Sequence, residues 1–301
     1  MRTSTLSRRG FLASGARLAA FAGLPSWLQR AAQPSPLWQS NQSTLAELQA
    51  QWRSEIGGSP FDTAISAADL QTGQTGGVNG DQIRYPGCTL NLFILMSVIR
   101  DVQEGRYPEW EVGDAISYTI RHSSAARARQ LLLKTGGGDV SRGIDKVNEL
   151  IHSLGLTNTL FDHPPGYWEV DSQHDRENTT TANEMRAALT ALWHDRVLEH
   201  RWTDYLLDKM TQVKPGLNYL IAGGVPASAG RRVSHKNGFL WHPAARWVDN
   251  DVGVVWQATG PAARRGYAIT MFFQNVPVEY GNIWLGQRLS WLTWRALGGA
   301  G

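Results

Sequence analysis

The stretch that decides the fold is Tyr85-Pro86-Gly87-Cys88-Thr89-Leu90-Asn91-Leu92. Pro86-Gly87 is a turn signal, and the run after it, Leu90 to Val102, is strongly apolar, which predicts a buried helix with Cys88 at its start. Cys88 and Asn91 stand three residues apart and so share one face of that helix. Upstream, Asp62 to Leu70 alternates as a strand, and the glycine-rich Thr72 to Gly80 is a hairpin turn leading to a second strand. Further upstream, Ser43 is a candidate N-cap for a helix over Thr44 to Ile56, with Leu45, Leu48, Trp52 and Ile56 at helical spacing and Gly57-Gly58 as its stop. Downstream, helical patterns cover Asp114 to Lys134, Val140 to Leu154, Thr181 to Trp193 and Trp202 to Lys209. After Arg231 the pattern changes: Arg231 to Trp241, Asp251 to Thr259 and Gly266 to Phe273 read as strands, and Val278 to Leu297 as a closing helix. The order predicts an α/β protein with an antiparallel sheet built from the N- and C-terminal segments, flanked by helices, and an all-α lobe inserted between them.

The quoted stretch resembles the segment where serine β-lactamases and penicillin-binding proteins carry Ser-x-x-Lys at the start of a buried helix, with class A β-lactamases the nearest pattern. In that family the lysine serves the serine as base; here the two positions are Cys88 and Asn91. A thiol keeps nucleophilic capacity, whereas an asparagine amide accepts no proton. Val233-Ser234-His235-Lys236-Asn237-Gly238 resembles the family's Lys-Thr-Gly strand, and Asp249-Asn250-Asp251-Val252-Gly253-Val254-Val255 its next strand. The resemblance implies that Lys236 binds a substrate carboxylate, that Asn237 stands in for the threonine, and that Gly238 lets substrate backbone approach. It also implies an oxyanion hole formed by the backbone N–H groups of Cys88 and Phe239.

The family's Ser-Asp-Asn element is best matched by His122-Ser123-Ser124-Ala125-Ala126 with Ser124 as the serine; Ser123, one register away, stays open. In the first register the Asp and Asn become Ala125 and Ala126. Asn178-Thr179-Thr180-Thr181 resembles the end of the family's omega loop, in which class A enzymes hold a water-activating glutamate. Counting back without gaps reaches Pro165, and a shortened loop brings Trp168-Glu169 to that place, so Glu169 is the candidate base. His122 and His235 are the alternative bases for a Cys-His pair.

Residues 1–33 contain five arginines and no acidic residue, and taking those five charges from the formal +3 leaves −2 for the rest of the chain. The basic character therefore belongs to the leader, and a nucleic-acid surface loses its support. Ser7-Arg8-Arg9-Gly10-Phe11-Leu12 followed by the apolar Leu12 to Leu24 reads as a twin-arginine export signal, with cleavage expected near Ala31 or Ala32. Residues 34–42 read as a linker and 43–301 as the β-lactamase/transpeptidase-like domain, with an α/β lobe from 43–87 and 210–301 and a helical lobe from 88–209. No segment reaches membrane-spanning length, and a single cysteine, Cys88, rules out an intrachain disulfide. No metal-ligand spacing and no cofactor motif is present. Trp284, Trp291 and Trp294 have helical spacing and are expected in the core.

Two functions follow. The first is an exported, periplasmic or secreted, monomeric pseudoenzyme that keeps a groove for a β-lactam or cell-wall peptide-like ligand without efficient catalysis. The second is an active Cys-dependent hydrolase or acyltransferase at the same groove.

Overall fold

The computed structural model describes residues 36–166, 176–227, 230–259 and 263–298, with side-chain surroundings from Thr44 onward. The expected leader, with its expected export motif and cleavage site, lies outside the described residues. Residues Gln42–Gly301 form one compact unit.

The chain enters through α1 (Pro36–Gly57), which begins upstream of the expected Ser43 cap and takes in most of the expected linker. Proline is compatible with a first helical turn, where its missing N–H has no partner to lose. The hairpin follows as β1 (Asp62–Asp69) and β2 (Thr75–Val78), then a 3₁₀ turn over Gly87–Leu90 and α2 (Asn91–Gln103). Every residue of α2 from Asn91 to Ile99 is buried, as its all-round apolar character demands. The helical block continues with α3 (Gly113–Arg121), α4 (Ala125–Thr135), α5 (Val140–Ser153), α6 (Ala182–Trp193), α7 (His200–Met210) and the short α8 (Ile221–Gly224). Strands β3 (Arg231–His242), β4 (Arg246–Gln257) and β5 (Gly266–Gln274) and helix α9 (Ile283–Thr293) complete the fold.

The five strands form one antiparallel sheet in the order β2-β1-β5-β4-β3. β1 pairs with β5 along its whole length, from Asp62 opposite Gln274 to Asp69 opposite Tyr267, so the first and last strands are neighbours as expected. Leu45, Leu48 and Trp52 of α1 and Leu285, Leu289 and Leu292 of α9 bury one face. The other face packs into a continuous core with α2 and the helical block. Among the described residues no helix is long and apolar enough to cross a membrane.

Three expectations change. The pattern read as one helix over 114–134 is two, because Ser123 adopts φ +51° and Ser124 caps α4 by accepting from Arg127 N–H at 3.3 Å. β4 begins at Arg246 rather than Asp251: the polar run Asp249-Asn250-Asp251, which mimics a turn, is buried mid-strand. Trp284 is 53% exposed, its ring 6.1 Å from that of Phe61, so it is not core; Trp291 and Trp294 are partly buried against the core.

Asn250 is the strap between sheet and turn. Its Nδ2 donates to the carbonyls of Tyr85 (2.8 Å) and Pro86 (3.0 Å), and its Oδ1 accepts from Phe273 N–H (3.0 Å). Asn250→Ala removes three hydrogen bonds, two of them buried, and is expected to cost about 2–4 kcal/mol, read by denaturant unfolding. Faster alkylation of Cys88 in the folded variant is expected to accompany the loss, because the turn is then released.

Candidate active site

The site is assembled where the 3₁₀ turn meets the edge strand β3. Gly87 has φ +55°, and a Cβ built on it would sit 3.0 Å from Phe239 N and 3.1 Å from Gly238 C. A Cβ on Gly238 would sit 2.5 Å from Pro86 O, 2.7 Å from Thr89 N and 2.9 Å from Cys88 N. Only two glycines let these backbones approach so closely. The amide nitrogens of Cys88 and Phe239, the expected oxyanion pair, therefore flank a single contact.

The alternation of β3 then sorts the side chains. Lys236 points toward the helical block, and its Nζ donates to Ser123 Oγ and to Asn237 O, each at 2.6 Å. Ser123 thus faces Lys236, and Ser124 is occupied as a helix cap. In this register Ala125, not Ala126, falls at the family's Asn position, and Ala125 lines the cleft. Lys236 is fully buried; burial holds its ammonium pKa below the ordinary value, opposed by the Cys88 thiol and the Asp251 carboxylate.

Asn237 faces the opposite way from Lys236. It is buried with its Oδ1 unpartnered, beside Tyr219, whose hydroxyl donates to Asp249 Oδ1 at 2.7 Å. His235 shares that face: Nδ1 lies 2.9 Å from Asp251 and Nε2 2.9 Å from Asn218. It is held in the sheet's polar layer, away from the Lys236 face, and His122 is exposed beside the Tyr118 ring at 5.1 Å. Neither completes a Cys-His pair.

Cys88 is half-buried and opens on a cleft of about 390 Å³. Asn91, 2% exposed, lines the same cleft, and its Nδ2 has no partner. Glu169 lies outside the described residues. A carboxylate that the sequence reading overlooked, Glu177, lines the cleft and pairs with His242 Nε2 at 3.2 Å; the backbone N–H of Ala244 donates to His242 Nδ1 at 3.1 Å, and the ring stacks on Tyr85 at 4.1 Å. Glu177 and His242 are 65 residues apart, so no local pattern announces them. Asn178, expected to open the end of the omega loop, closes its base by accepting from the N–H groups of Asp162 (2.6 Å) and His163 (2.8 Å). Among the described residues no group of three or more His, Cys, Asp or Glu is placed to hold a metal ion.

A family model described as the beta-lactamase enzyme family matches residues 128–295. The chain belongs to the beta-lactamase enzyme family. No curated protein matches it. Among solved structures, a PBP-A mutant in an acyl-enzyme complex with penicillin G is 21% identical, with 85% of this chain and 98% of that one covered and a TM-score of 0.67. A mutant of the class A β-lactamase of the last common ancestor of Gram-negative bacteria is 21% identical, covering 84% and 100%, with a TM-score of 0.69. A β-lactamase from Xanthomonas campestris is 17% identical, covering 85% and 99%, with a TM-score of 0.69. At these identities the likeness is one of fold, and it agrees with the sheet order and helical lobe described above.

Two outcomes follow from the geometry. Ser124→Ala is expected to cost about 1 kcal/mol through the lost cap, read by denaturant unfolding. Burial raises the Asp249 carboxyl to about 7 from 3.8. The folded state therefore holds a proton that the unfolded state releases, so this contribution to stability is present at acid pH and is lost as pH rises toward 7. Asp249→Asn keeps the acceptor for Tyr219 and is expected to raise the melting temperature by about 3 °C or more at pH 8, with less gain at pH 5.

Proposed function

We propose that this chain is an exported, monomeric β-lactamase-like protein whose cleft holds a β-lactam or cell-wall peptide-like acyl ligand and turns it over poorly or not at all. The observation that carries the reading is the contrast within one site. The glycine contact that sets the amides of Cys88 and Phe239 is intact, and Lys236 reaches Ser123. At the start of α2, however, the position of the expected base is Asn91, an amide that accepts no proton and whose Nδ2 has no partner. Removing a general base from acyl transfer costs about 10²–10⁴ in rate.

In this reading Cys88 Sγ is the acyl acceptor, the two amides and Asn91 Nδ2 are donors to the acyl oxygen, and Lys236 with Ser123 binds the polar end of the ligand. Gly238 admits the ligand's backbone beside β3. Asn237 takes no part, since its side chain turns to the other face. The PBP-A acyl-enzyme with penicillin G supports a β-lactam as the first ligand to try. The arginine pair Arg8-Arg9 before Phe11-Leu12 supports export by the twin-arginine route, with residues 1–33 removed.

One observation favours the second reading, an active Cys-dependent hydrolase or acyltransferase. Burial lowers the ammonium pKa of Lys236, whose Nζ meets Ser123 Oγ at 2.6 Å, and this pair supports a role in proton transfer near Cys88. Glu177 is the described carboxylate nearest in kind to a water-activating base, although His242 engages it.

Intact-mass measurement after mixing the protein with penicillin G, alongside a chromogenic cephalosporin assay, separates the readings. A single persistent penicillin adduct on Cys88, or saturable protection of Cys88 from iodoacetamide, with no turnover above buffer, is the expected result. Multiple turnover abolished by Cys88→Ala replaces the proposal with the second reading. Absence of both adduct and protection overturns the ligand class.

A further inference from the structure

We infer that the edge of the sheet opposite β3 carries a second site, separate from the Cys88 cleft, which binds a small zwitterion bearing one ammonium and one carboxylate, the chemistry of a free amino acid. Its pocket holds about 540 Å³ and lies where β2 meets α1 and the first turns of α6. It shares no described lining residue with the cleft.

Two opposite charges line this pocket without meeting. Arg186 of α6 donates from Nε to Ser66 Oγ at 2.9 Å, and among the described residues its Nη1 and Nη2 have no partner. Asp81, in the turn after β2, accepts from Asn183 Nδ2 at 2.7 Å with Oδ1 and leaves Oδ2 without a partner. Burial holds the Arg186 guanidinium pKa below its ordinary value; the Asp81 carboxylate opposes that shift from a distance, and the two form no ion pair. Glu184, on the same turn of α6, faces away to Asn158 and Thr159 and does not supply the missing partner. A half-buried guanidinium with its fork unoccupied is a receptor for a carboxylate.

The spacing of the two charges is built into the fold. Asn183 uses both ends of its amide: Nδ2 holds Asp81, and Oδ1 accepts from Ser66 Oγ at 2.7 Å, the hydroxyl that in turn receives Arg186. One chain of hydrogen bonds, Asp81–Asn183–Ser66–Arg186, therefore fixes the carboxylate at one end and the guanidinium at the other. Gly80 makes room for that chain, since its carbonyl accepts from Asn183 N–H at 2.9 Å and a Cβ on it would sit 2.5 Å from Asn183 Oδ1. Gln49 Nε2 donates to Gly77 O at 3.1 Å, so α1 closes a further side over a floor of glycine backbone.

The pair of charges selects the ligand class. A simple anion on the Arg186 fork lies near the Asp81 carboxylate, and a simple cation on Asp81 lies near the guanidinium, so either brings a like-charge repulsion. A zwitterion places its carboxylate on Nη1 and Nη2 of Arg186 and its ammonium on Asp81 Oδ2, and each end meets only the opposite charge.

The test titrates the protein with free glycine, acetate, methylammonium and inorganic phosphate at pH 7 and constant ionic strength. The side-chain amide NMR signals of Asn183 and Gln49 and the heat of binding are the readouts. The expected result is saturable binding of glycine with a Kd of about 1 mM or tighter, and binding of the other three weaker by at least about tenfold, the worth of one charge-assisted contact. Arg186→Gln is expected to weaken glycine binding about tenfold or more. Asp81→Asn, at an exposed position where the new amide oxygen still accepts from Asn183, is expected to bring glycine down to the level of acetate. An unchanged melting temperature and unchanged alkylation of Cys88 in Asp81→Asn show that the fold and the cleft are kept. The absence of a saturable glycine response, phosphate binding as tightly as glycine, or an unaltered glycine affinity in folded Asp81→Asn overturns the inference.

Discussion

Gly87 and Gly238 bring two backbones together at a distance no side chain permits, and the remainder of the site is arranged around that contact. The turn before α2 cannot seat itself there unaided. Asn250 holds it by binding the carbonyls of Tyr85 and Pro86, while Gln274 Oε1 accepts from Tyr85 N–H at 2.7 Å. β3 is the edge strand, so its outer side is free to meet the turn instead of another strand. From this one approach follow the placement of Cys88 at the mouth of the cleft, the pairing of the Cys88 and Phe239 amides, and the direction in which Lys236 projects.

The same approach obliges the protein to bury charge. Lys236 lies in the seam between sheet and helical lobe, where an unpaired ammonium is unfavourable. Ser123 meets it, and to do so adopts a backbone conformation that residues other than glycine rarely take. Strain of this kind persists only where surrounding structure over-determines it. Here the capped start of α4 and the hydrogen bond to Lys236 hold Ser123 from both sides. On the opposite face of β3 and β4, His235, Asp251, Tyr219 and Asp249 form a second polar layer that never reaches Cys88. The two faces of one strand pair therefore carry separate duties: one seats a buried cation against Ser123, and the other satisfies buried polar groups within the sheet.

A chemical asymmetry results. The backbone amides of Cys88 and Phe239 are placed by the glycine contact, and their position depends on fold alone. Groups that move protons depend on side-chain identity, and it is at Asn91 and Ala125 that side chains have changed.

Much of this was legible in the sequence. The apolar run after Pro86-Gly87 specified a central buried helix, the change of period after Arg231 specified the closing strands, and Lys236-Asn237-Gly238 marked the strand whose glycine meets the turn at Cys88. Those readings succeed because hydrophobic periodicity is local information. The break at Ser123 was hard to read: the apolar periodicity of Asp114 to Lys134 runs on across it, its one local mark is the cap at Ser124, and the contact that holds Ser123 comes from Lys236, more than a hundred residues away. Nor was the run Asp249-Asn250-Asp251 legible as mid-strand, since its polarity is tolerated only because Tyr219, His235 and the turn at Tyr85 lie across from it. The sequence by itself determined most of the elements, their order and the place of Cys88 at the start of the central helix. Which serine meets the lysine, which face Asn237 takes and which carboxylate enters the cleft were decided only in the tertiary structure, because each depends on two segments distant in the chain satisfying one buried polar group.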